Sequence, residues 1–311
     1  MPGVIDASVW SNNYLAADRF HVRLAAAAGG LALVDVPEVR LEVQAGFQDG
    51  WTGLVVGEAD SVSLNPVQGI VDVEGRDLSA LLVDNRVNET FANRTSSEIA
   101  QELGGRHGLS VDATATETLV GRYYQSEHDR LTMGQFARTM SEWDLLAYLA
   151  GQEGFDLFMD GDTLRFGPRD ASDVVTVDVS ECTDARLDHS LMMERTIEVT
   201  VQSWDQRGAE AVVETVQGGG SGRNWKHSVV KPNLPAVEAE RLAQRILSDL
   251  IRHQRHVTLS MPGELTINAR RLVALSGSQT AWDGTYAVSE VHRQLDARRG
   301  FTQRVVLQVA V

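Results

Sequence analysis

A cluster of acidic residues in the middle of the chain is the first place where this sequence could carry out chemistry. The segment SEWDLLAYLAGQEGFDLFMDGDTLRFGP, residues 141–168, contains six carboxylates: Glu142, Asp144, Glu153, Asp156, Asp160 and Asp162. Apolar residues recur every three or four positions up to Gly154, so the first three acids are expected to cap and solvate a helix. Asp160 and Asp162 flank Gly161 in a predicted turn, where local backbone hydrogen bonds favour aspartate. The closing glutamate of an EF-hand is missing, and a structural role is therefore favoured over a metal or acid–base site.

Histidines are a second set of candidate metal or catalytic residues. His253 and His256 are three positions apart in HQRH and lack the His-Glu-x-x-His pattern of zinc proteases. At the end of a predicted helix they more simply interact with the negative end of its dipole. The same account applies to His107. His292 lies in a predicted strand, VSEVHRQL, and its side chain is expected to face the wall of the sheet. The dipeptide His128–Asp129 could supply a general base, but the sequence identifies no partner for it.

Ser221 and Cys182 are the remaining reactive side chains that stand out. Ser221 lies in GGGSGR, which comes close to a nucleophile elbow, but Arg223 replaces the final glycine and no strand precedes it. The same loop lacks the Gly-Lys-Ser/Thr ending of a phosphate-binding loop. Cys182 is the only cysteine, so it can form neither an internal disulfide nor a cysteine zinc cluster. The sequence therefore predicts no catalytic, metal-binding or cofactor-binding residue.

The overall composition excludes several classes of function. The formal net charge of −15 opposes tight non-specific binding of nucleic acid, although DNA could pass close to such a surface. The longest apolar run, Leu24–Val34, is shorter than the ~20 residues needed to span a bilayer. No basic residue precedes Arg19, so the N-terminus does not have the pattern of a secretory signal. We expect a protein made in the cytoplasm that does not insert into a membrane.

The elements that position these residues alternate between strand-rich and helical regions. Period-2 alternation, as in Phe20–Leu24 and Val39–Val43, dominates the N-terminal part and predicts half-buried strands. Strand periodicity returns after residue 173 and is interrupted by one long helix, roughly 235–256. Helix starts and ends between these regions are marked by capping pairs and glycines, namely Thr95 with Glu98, Gly104 with Gly105, Thr132 with Gln135, Ser141 with Asp144, and Gly154. This order predicts an α+β fold that is mainly β.

Four stretches of the chain stand out by their order and spacing. They are GWTGLVVGEAD with VDVEGRDLSALLVDNRVNETFANRTSSEIAQELGGRHGL, the acidic segment 141–168, GGGSGRNWKHSVVKPNLPAVEAERLAQRIL, and DGTYAVSEVHRQLDARRGFTQRVVLQV. In this order they resemble the phage late control protein D family, which consists of baseplate hub proteins of contractile tails and is related in fold to the hub part of VgrG spikes in type VI secretion. Each motif alone is modest, but together they cover most of the chain in a fairly specific order and spacing.

The resemblance implies two tube-type, β-barrel-like domains, an α/β insert and one long helix. The first tube-like domain would be residues 1–95. An α/β insert, consisting of a helix and a helix–hairpin unit, would follow at 96–170. The second tube-like domain would combine 171–216 with 257–311. A glycine-rich loop and helix at 217–256 would be inserted into it.

The resemblance also implies a mechanical role in the tail. Three subunits would form a ring of sixfold pseudo-symmetry, which joins the sixfold tail tube to the threefold central spike and lets DNA pass. The homotrimer's partners would be the central spike protein, the tail tube or distal tail protein, baseplate wedge proteins and the tape-measure protein. Its place would be the virion baseplate, assembled in the host cytoplasm. An acidic channel wall would keep phosphates from binding, and ring formation would cover the strand edges.

Three other interpretations fit parts of the sequence. The hub of a type VI or other contractile injection system would share the architecture. An all-β carbohydrate-active enzyme, such as a depolymerase, would need a deep cleft with two carboxylates about 5–10 Å apart. A soluble adhesin-like binding module would need no threefold ring. Because no lysozyme-like or spike-like segment is recognised, cell-wall cutting and the needle itself are expected to belong to separate proteins.

Overall fold

The structure is a computed structural model, and it describes most of the chain. The described residues are 3–310, with gaps at 48–49, 87–90, 92, 118, 121–139, 170–173, 192–194, 206–209, 221–222 and 232–233. The predictions made for His128–Asp129, for Ser221 and for the capping pair Thr132 and Gln135 lie outside the described residues.

Strands make up most of the regular structure, and four α-helices complete it within the described part of the chain. The strands are β1 (Val4–Asn12), β2 (Arg19–Ala25), β3 (Arg40–Phe47), β4 (Gly50–Asn65), β5 (Ile70–Asp77), β6 (Arg94–Thr95), β7 (Ser110–Ala113), β8 (Leu119–Val120), β9 (Phe155–Asp160), β10 (Thr163–Pro168), β11 (Val174–Asp178), β12 (Asp184–His189), β13 (Thr196–Asp205), β14 (Glu210–Gly219), β15 (Trp225–Val230), β16 (Arg255–Pro262), β17 (Leu272–Ser276), β18 (Gly284–Asp296) and β19 (Gly300–Val309). The helices are α1 (Ala80–Asp84), α2 (Ser96–Arg106), α3 (Glu142–Glu153) and α4 (Ala236–Arg252). The predicted α+β, mainly β fold class is confirmed.

One 11-stranded sheet runs through both ends of the chain. Its main path has the order β12-β16-β19-β18-β1-β2-β5-β4-β3, and β17 pairs with β18 and with β11. The two halves are linked by the antiparallel pairing of β1 with β18, where Val9 lies opposite Arg293. We call β1–β5 the first β region, and β11, β12 and β16–β19 the second β region. Within the described residues the path is open at β3 and β12, so neither region forms a closed barrel.

Each β region has its own core because its strands alternate apolar and polar side chains. In the first region, Phe20 and its neighbours at every second position of β2 are buried. The Phe20 ring fits because two glycines lie against it: a Cβ at Gly75 would come within 2.5 Å of the ring and one at Gly57 within 2.9 Å. In the second region, Val305 and Leu307 of β19 lie in an equivalent buried layer.

The α/β insert between the β regions packs α2 and α3 against the sheet β7-β10-β9. Thr95 and Ser141 each accept a hydrogen bond from the backbone three residues on, and the acids there return the contact, so both capping boxes are confirmed. Gly154 ends α3 in the left-handed conformation, at φ 73°. The helix–glycine–hairpin order predicted for residues 141–168 is therefore confirmed.

A second small unit is built from the sheet β14-β13-β15 and the long helix α4. Ala239 and Ala243 of α4 are fully buried against Ile197 and Val199 of β13. Among the described residues, β13 and β14 form no ladder with the 11-stranded sheet. They pair with each other, and β13 also pairs with β15. The predicted domain boundaries stay a prediction. No described helix combines the length and apolar character needed to cross a membrane.

Candidate functional site

A cleft of about 790 Å³ lies where the first β region, the α/β insert and the second β region meet. The first region lines it with Asp18 and Asp77, and the insert lines it with Asp156 and Phe158. The second region contributes the loop Asn268–Arg271, which leads into β17. We call this space the junction cleft. Its lining is rich in charged groups, so its electrostatics decide what it can do.

Two buried aspartates form the floor of the junction cleft. Asp18 precedes β2 and is 7% exposed, and Asp77 ends β5 and is 5% exposed. The backbone N–H of Asp18 donates to Asp77 Oδ2 at 3.1 Å, and that of Asp77 donates to the Asp18 carbonyl at 2.8 Å. Asn12 donates to Asp18 Oδ1 from its backbone at 2.9 Å and from its side chain at 3.2 Å. Ser79 donates to Asp77 Oδ1 from both its backbone and its hydroxyl.

Burial of the two carboxyl groups shifts their titration. Loss of hydration raises the pKa of Asp77 to about 7, and the nearby charge of Asp18 adds to the rise. Burial also raises the pKa of Asp18, while the positive charge of Arg270 opposes that rise. Both shifts run in the same direction, so the pair binds protons more readily in the folded chain than in the unfolded one.

Arg270 enters the junction cleft from the second β region in an unusual backbone conformation. Its φ of 79° is in the left-handed region, and its backbone N–H donates to the Val288 carbonyl at 3.0 Å. Its guanidinium lies 4.2 Å from the centre of the Phe158 ring, a cation–π contact with the insert. Burial lowers the pKa of Arg270, and the charges of Asp18 and Asp156 oppose that change. One side chain thus contacts the insert and faces the acids of the first region.

Arg293 is the second buried cation near this junction. It is 2% exposed and donates to the Ile267 carbonyl and, at 2.9 Å, to Asn268 Oδ1. Burial lowers its pKa to about 10, and the charge of Asp18 opposes the change, so it stays protonated at neutral pH. Its Nε and both amide atoms of Gln303, which lies opposite it on β19, have no hydrogen-bond partner among the described residues. Arg293 therefore ties the loop before β17 to the strand that meets β1.

The turn between β1 and β2 contacts all three units around the cleft. Asn13 donates to the Ser289 carbonyl at 2.9 Å and to the Val288 carbonyl at 3.1 Å, both in the second β region. Leu15, at φ 59°, packs against the core of the insert, and its carbonyl accepts a 2.6 Å hydrogen bond from Trp143 Nε1. The same turn ends at Asp18. It therefore connects the cleft floor to both neighbouring units.

The two aspartates of the cleft floor are held by hydrogen bonds within the protein. Both oxygens of Asp77 accept hydrogen bonds from the protein itself, and Asp18 Oδ1 accepts two. Among the described residues, no group of three or more His, Cys, Asp or Glu side chains is placed to hold a metal ion.

The acids singled out from the sequence are dispersed in the structure. Glu142 is buried, is hydrogen-bonded through its carboxylate to His107 Nε2, and lies 3.7 Å from Arg106. His107 follows the end of α2 as predicted, but its partner is this carboxylate of α3. Asp160 lines the rim of the junction cleft and pairs with Arg165 at 3.3 Å. Asp156 also lines the cleft and pairs with Arg169 at 3.1 Å. Asp144 caps α3, Asp162 accepts a hydrogen bond from its neighbour Thr163, and Glu153 accepts one from Ser96 at the start of α2.

The remaining candidates do not line the junction cleft. The rings of His253 and His256 are 5.8 Å apart where α4 meets β16, and burial lowers the pKa of His256. His292 stacks on Trp10 with ring centres 4.5 Å apart, at the pairing of β1 with β18. Cys182 is half-buried, and burial raises the pKa of its thiol.

Sequence reasoning missed the charged residues that form the junction. A signal was present for two of them, because a charged residue in the apolar phase of an alternating strand is expected to be buried. Asp77 follows Val71 and Val73 at the buried positions of β5, and Arg293 follows Val291 on β18. Asp18 and Arg270 lie in loops, where alternation gives no such signal.

Comparison with known proteins gives matches in structure. No protein-family model matches the chain, and no curated protein matches it. The tail protein from Neisseria meningitidis MC58 is 15% identical with a TM-score of 0.73, covering 98% of this chain and 92% of that one. The 43 kDa tail protein of prophage MuSo2 from Shewanella oneidensis is 16% identical with a TM-score of 0.72, covering 98% and 94%. A component of the E. coli type VI secretion system is 11% identical with a TM-score of 0.60, covering 99% and 74%.

These matches extend over nearly the whole chain, so both β regions, the insert and the small helical unit have counterparts in the matched proteins. At such low identity they establish the fold. The chain therefore has the fold of phage tail proteins and of a type VI secretion component, as the resemblance in its sequence predicts.

Proposed function

We propose that this protein is a structural baseplate hub of a phage-type contractile tail, in which three copies form a ring. The fold shared with two phage or bacterial tail proteins supports a place in the tail baseplate. The observation that carries the proposal is the 11-stranded sheet, whose main path ends at β3 on one side and at β12 on the other. Because the two ends are different surfaces, copies can join head to tail, and such contacts close into a ring when the rotation fits.

The two β regions in each chain support threefold assembly. Three copies place six such regions around one axis, which suits a sixfold tube on one side and a threefold spike on the other. The partners on this proposal are the central spike protein, the tail tube or distal tail protein, wedge proteins and the tape-measure protein. The role is mechanical and non-enzymatic, and the junction cleft keeps the two β regions and the insert in fixed relation.

Passage of DNA is compatible with the charges on the solvent face of the sheet. Arg23 there pairs with Asp6 at 2.9 Å and with Asp72 at 3.4 Å, and Arg76 pairs with Asp60 at 2.6 Å. An arginine whose charge is neutralised by carboxylates offers little attraction to phosphate, and the chain as a whole carries −15. DNA is therefore expected to pass along the ring without binding to it, and we retain the hypothesis of an acidic channel wall.

A hub of a type VI or other contractile injection system would have the same architecture. The match to the E. coli type VI component supports this alternative, and the higher TM-scores of the two tail proteins favour the phage-type tail. A carbohydrate-active enzyme is disfavoured because the paired carboxylates of the cleft are engaged by the protein's own donors.

The mass of the purified protein in solution tests the proposal. Light scattering should give about three times the chain mass of 34.0 kDa, and electron microscopy should show a threefold ring with a central opening. A chain that stays monomeric at every concentration, or that releases sugars from a polysaccharide, would overturn the hub assignment.

A further inference from the structure

The free edge of the first β region has two chemically distinct faces. Strand β3 pairs with β4 on one side, and its other side is unpaired within the described residues. Leu41 and Val43 pack towards the core of the first region. Arg40 and Glu42 alternate with them and are exposed. A strand added beside β3 would therefore need apolar residues on the core side and complementary charges on the other side.

The second β region has two edge strands among the described residues, β11 and β12, and the edge at β12 has the matching pattern. Strand β12 pairs with β16 and ends the main path of the sheet. Ala185 and Leu187 pack towards the second core, and Asp184, Arg186 and Asp188 alternate with them. Arg186 is 74% exposed, and its Nε donates to Asp188 Oδ1 of the same strand at 3.0 Å. The edge thus displays the charge order minus, plus, minus on one face.

The charged sides of the two edge strands are complementary, and so are their apolar sides. If Glu42 lies opposite Arg186, then Arg40 lies opposite Asp188 in an antiparallel pairing and opposite Asp184 in a parallel one. Because the charges of β12 are symmetric about Arg186, both directions join opposite charges. In both directions Leu41 and Val43 continue the apolar layer formed by Ala185 and Leu187.

We infer that β3 of one copy pairs with β12 of the next copy, with Glu42 opposite Arg186, so that the sheets of neighbouring subunits form one continuous sheet around the ring. This inference rests on the proposed function and names the surface that would close the ring. The occupant of each edge is a second copy of this chain, because β3 and β12 match each other and no external sequence is needed. Pairing also covers backbone donors and acceptors that would otherwise invite aggregation.

We call the proposed pairing of β3 with β12 of the next copy the seam. An exchange of charges across the seam tests the inference in the full-length protein. Glu42→Arg places like charges opposite each other at the seam, and Arg186→Glu does the same from the other side. Each single variant should weaken subunit association roughly tenfold, measured by sedimentation at several protein concentrations. The double variant Glu42→Arg with Arg186→Glu should recover most of the wild-type association. Glu74→Arg, at an exposed position of strand β5, which is paired on both sides by β2 and β4, is the matched control and should leave association unchanged.

The possible outcomes distinguish a failure of the seam from a failure of the hub proposal. A wild-type trimer that is unaffected by either single reversal would overturn the seam and leave the hub proposal standing. If the single variants weaken association and the double variant does not restore it, then Glu42 and Arg186 do not lie opposite each other. A wild-type chain that is monomeric throughout would overturn both proposals.

A cysteine pair gives a second readout that does not depend on charge. Glu42→Cys combined with Arg186→Cys, in a background of Cys182→Ser, should form disulfides between copies under oxidation and yield covalent dimers and trimers. Circular dichroism should show that each variant keeps the strand content of the wild type. Wild-type-like trimers that form no cross-link would contradict the seam.

Discussion

The first β region has two edges, and they are built differently. Its inner edge, β1, is joined to β18 within the chain, where Trp10 stacks on His292 and the fully buried Arg293 lies opposite Val9. Its outer edge, β3, displays exposed charges, and so does β12 at the far end of the sheet. A buried charge is costly to leave without its partner, whereas an exposed pair contributes little. The inner joint is thus suited to permanence, and the outer edges are suited to reversible assembly.

Removal of the buried cation should have the largest effect on the inner joint. Arg293→Ala leaves the Ile267 carbonyl and Asn268 Oδ1 without their donor and removes a positive charge that favours ionised Asp18. We expect a loss of about 3–5 kcal/mol in the free energy of unfolding. Urea unfolding monitored by tryptophan fluorescence measures the loss. The exposed Arg299→Ala is the control, and equal midpoints for the two variants would contradict the role of Arg293.

The acid pair of the junction should make stability depend on pH in a defined direction. The pKa of Asp77 is about 7 in the folded chain and 3.8 as a free side chain, so the folded state retains its proton over this range. Its contribution to stability is therefore fully present below about pH 4 and is lost as the pH rises to about 7. Asp77→Asn removes this loss. Between pH 4 and pH 8, the stability of the variant should gain about 2–4 kcal/mol relative to the wild type.

The difference in stability between the wild type and Asp77→Asn isolates the contribution of the Asp77 carboxyl group. Carboxylates with lowered pKa values, such as Asp84, titrate in both proteins and cancel in the comparison. Any slope that remains in Asp77→Asn belongs in part to Asp18, whose pKa is raised as well. The exposed turn residue Asp162, replaced by asparagine, should leave the pH profile as in the wild type. A stability difference that does not vary with pH would show that Asp77 has the same pKa in the folded and the unfolded chain.

Local signals in the sequence predicted much of the fold. The capping boxes at Thr95 and Ser141 formed because the residues that make them are three positions apart, and alternation placed β2 and β19 correctly. The pairing of β1 with β18 was not predictable in this way, since nothing local relates Val9 to Arg293. Such contacts are decided by the packing of distant segments.

The candidate site was harder to predict than the fold for the same physical reason. The junction cleft brings together residues of three units, and two of its charged side chains, Asp18 and Arg270, come from loops without periodicity. The acids that drew attention in the sequence are close along the chain, which helix capping and turn formation already explain. A buried charge network requires partners that are close in space, and only the structure shows them.

A smaller effect is expected where the insert meets the inner joint. Trp143 is almost fully buried, and its Nε1 donates to the Leu15 carbonyl at 2.6 Å. Trp143→Phe keeps most of the apolar contact and removes this donor, so we expect a loss of about 1–2 kcal/mol. Hydrogen exchange should increase in α3 and in the β1–β2 turn while β19 stays protected. Uniform exchange changes over the whole chain would instead mean that the insert and the β regions unfold as one unit.

A substitution at the outer edge should have the smallest effect on the free energy of unfolding of the single chain, although it should weaken subunit association as proposed above. Arg186 is exposed, and it pairs with Asp188 of its own strand. Arg186→Glu should therefore change the free energy of unfolding by no more than about 0.5 kcal/mol when measured on dilute, dissociated protein. Thermal unfolding at low concentration checks this, with wild type as the reference. A loss as large as that of Arg293→Ala would mean that β12 is part of the permanent core, and the contrast between inner and outer edges would fail.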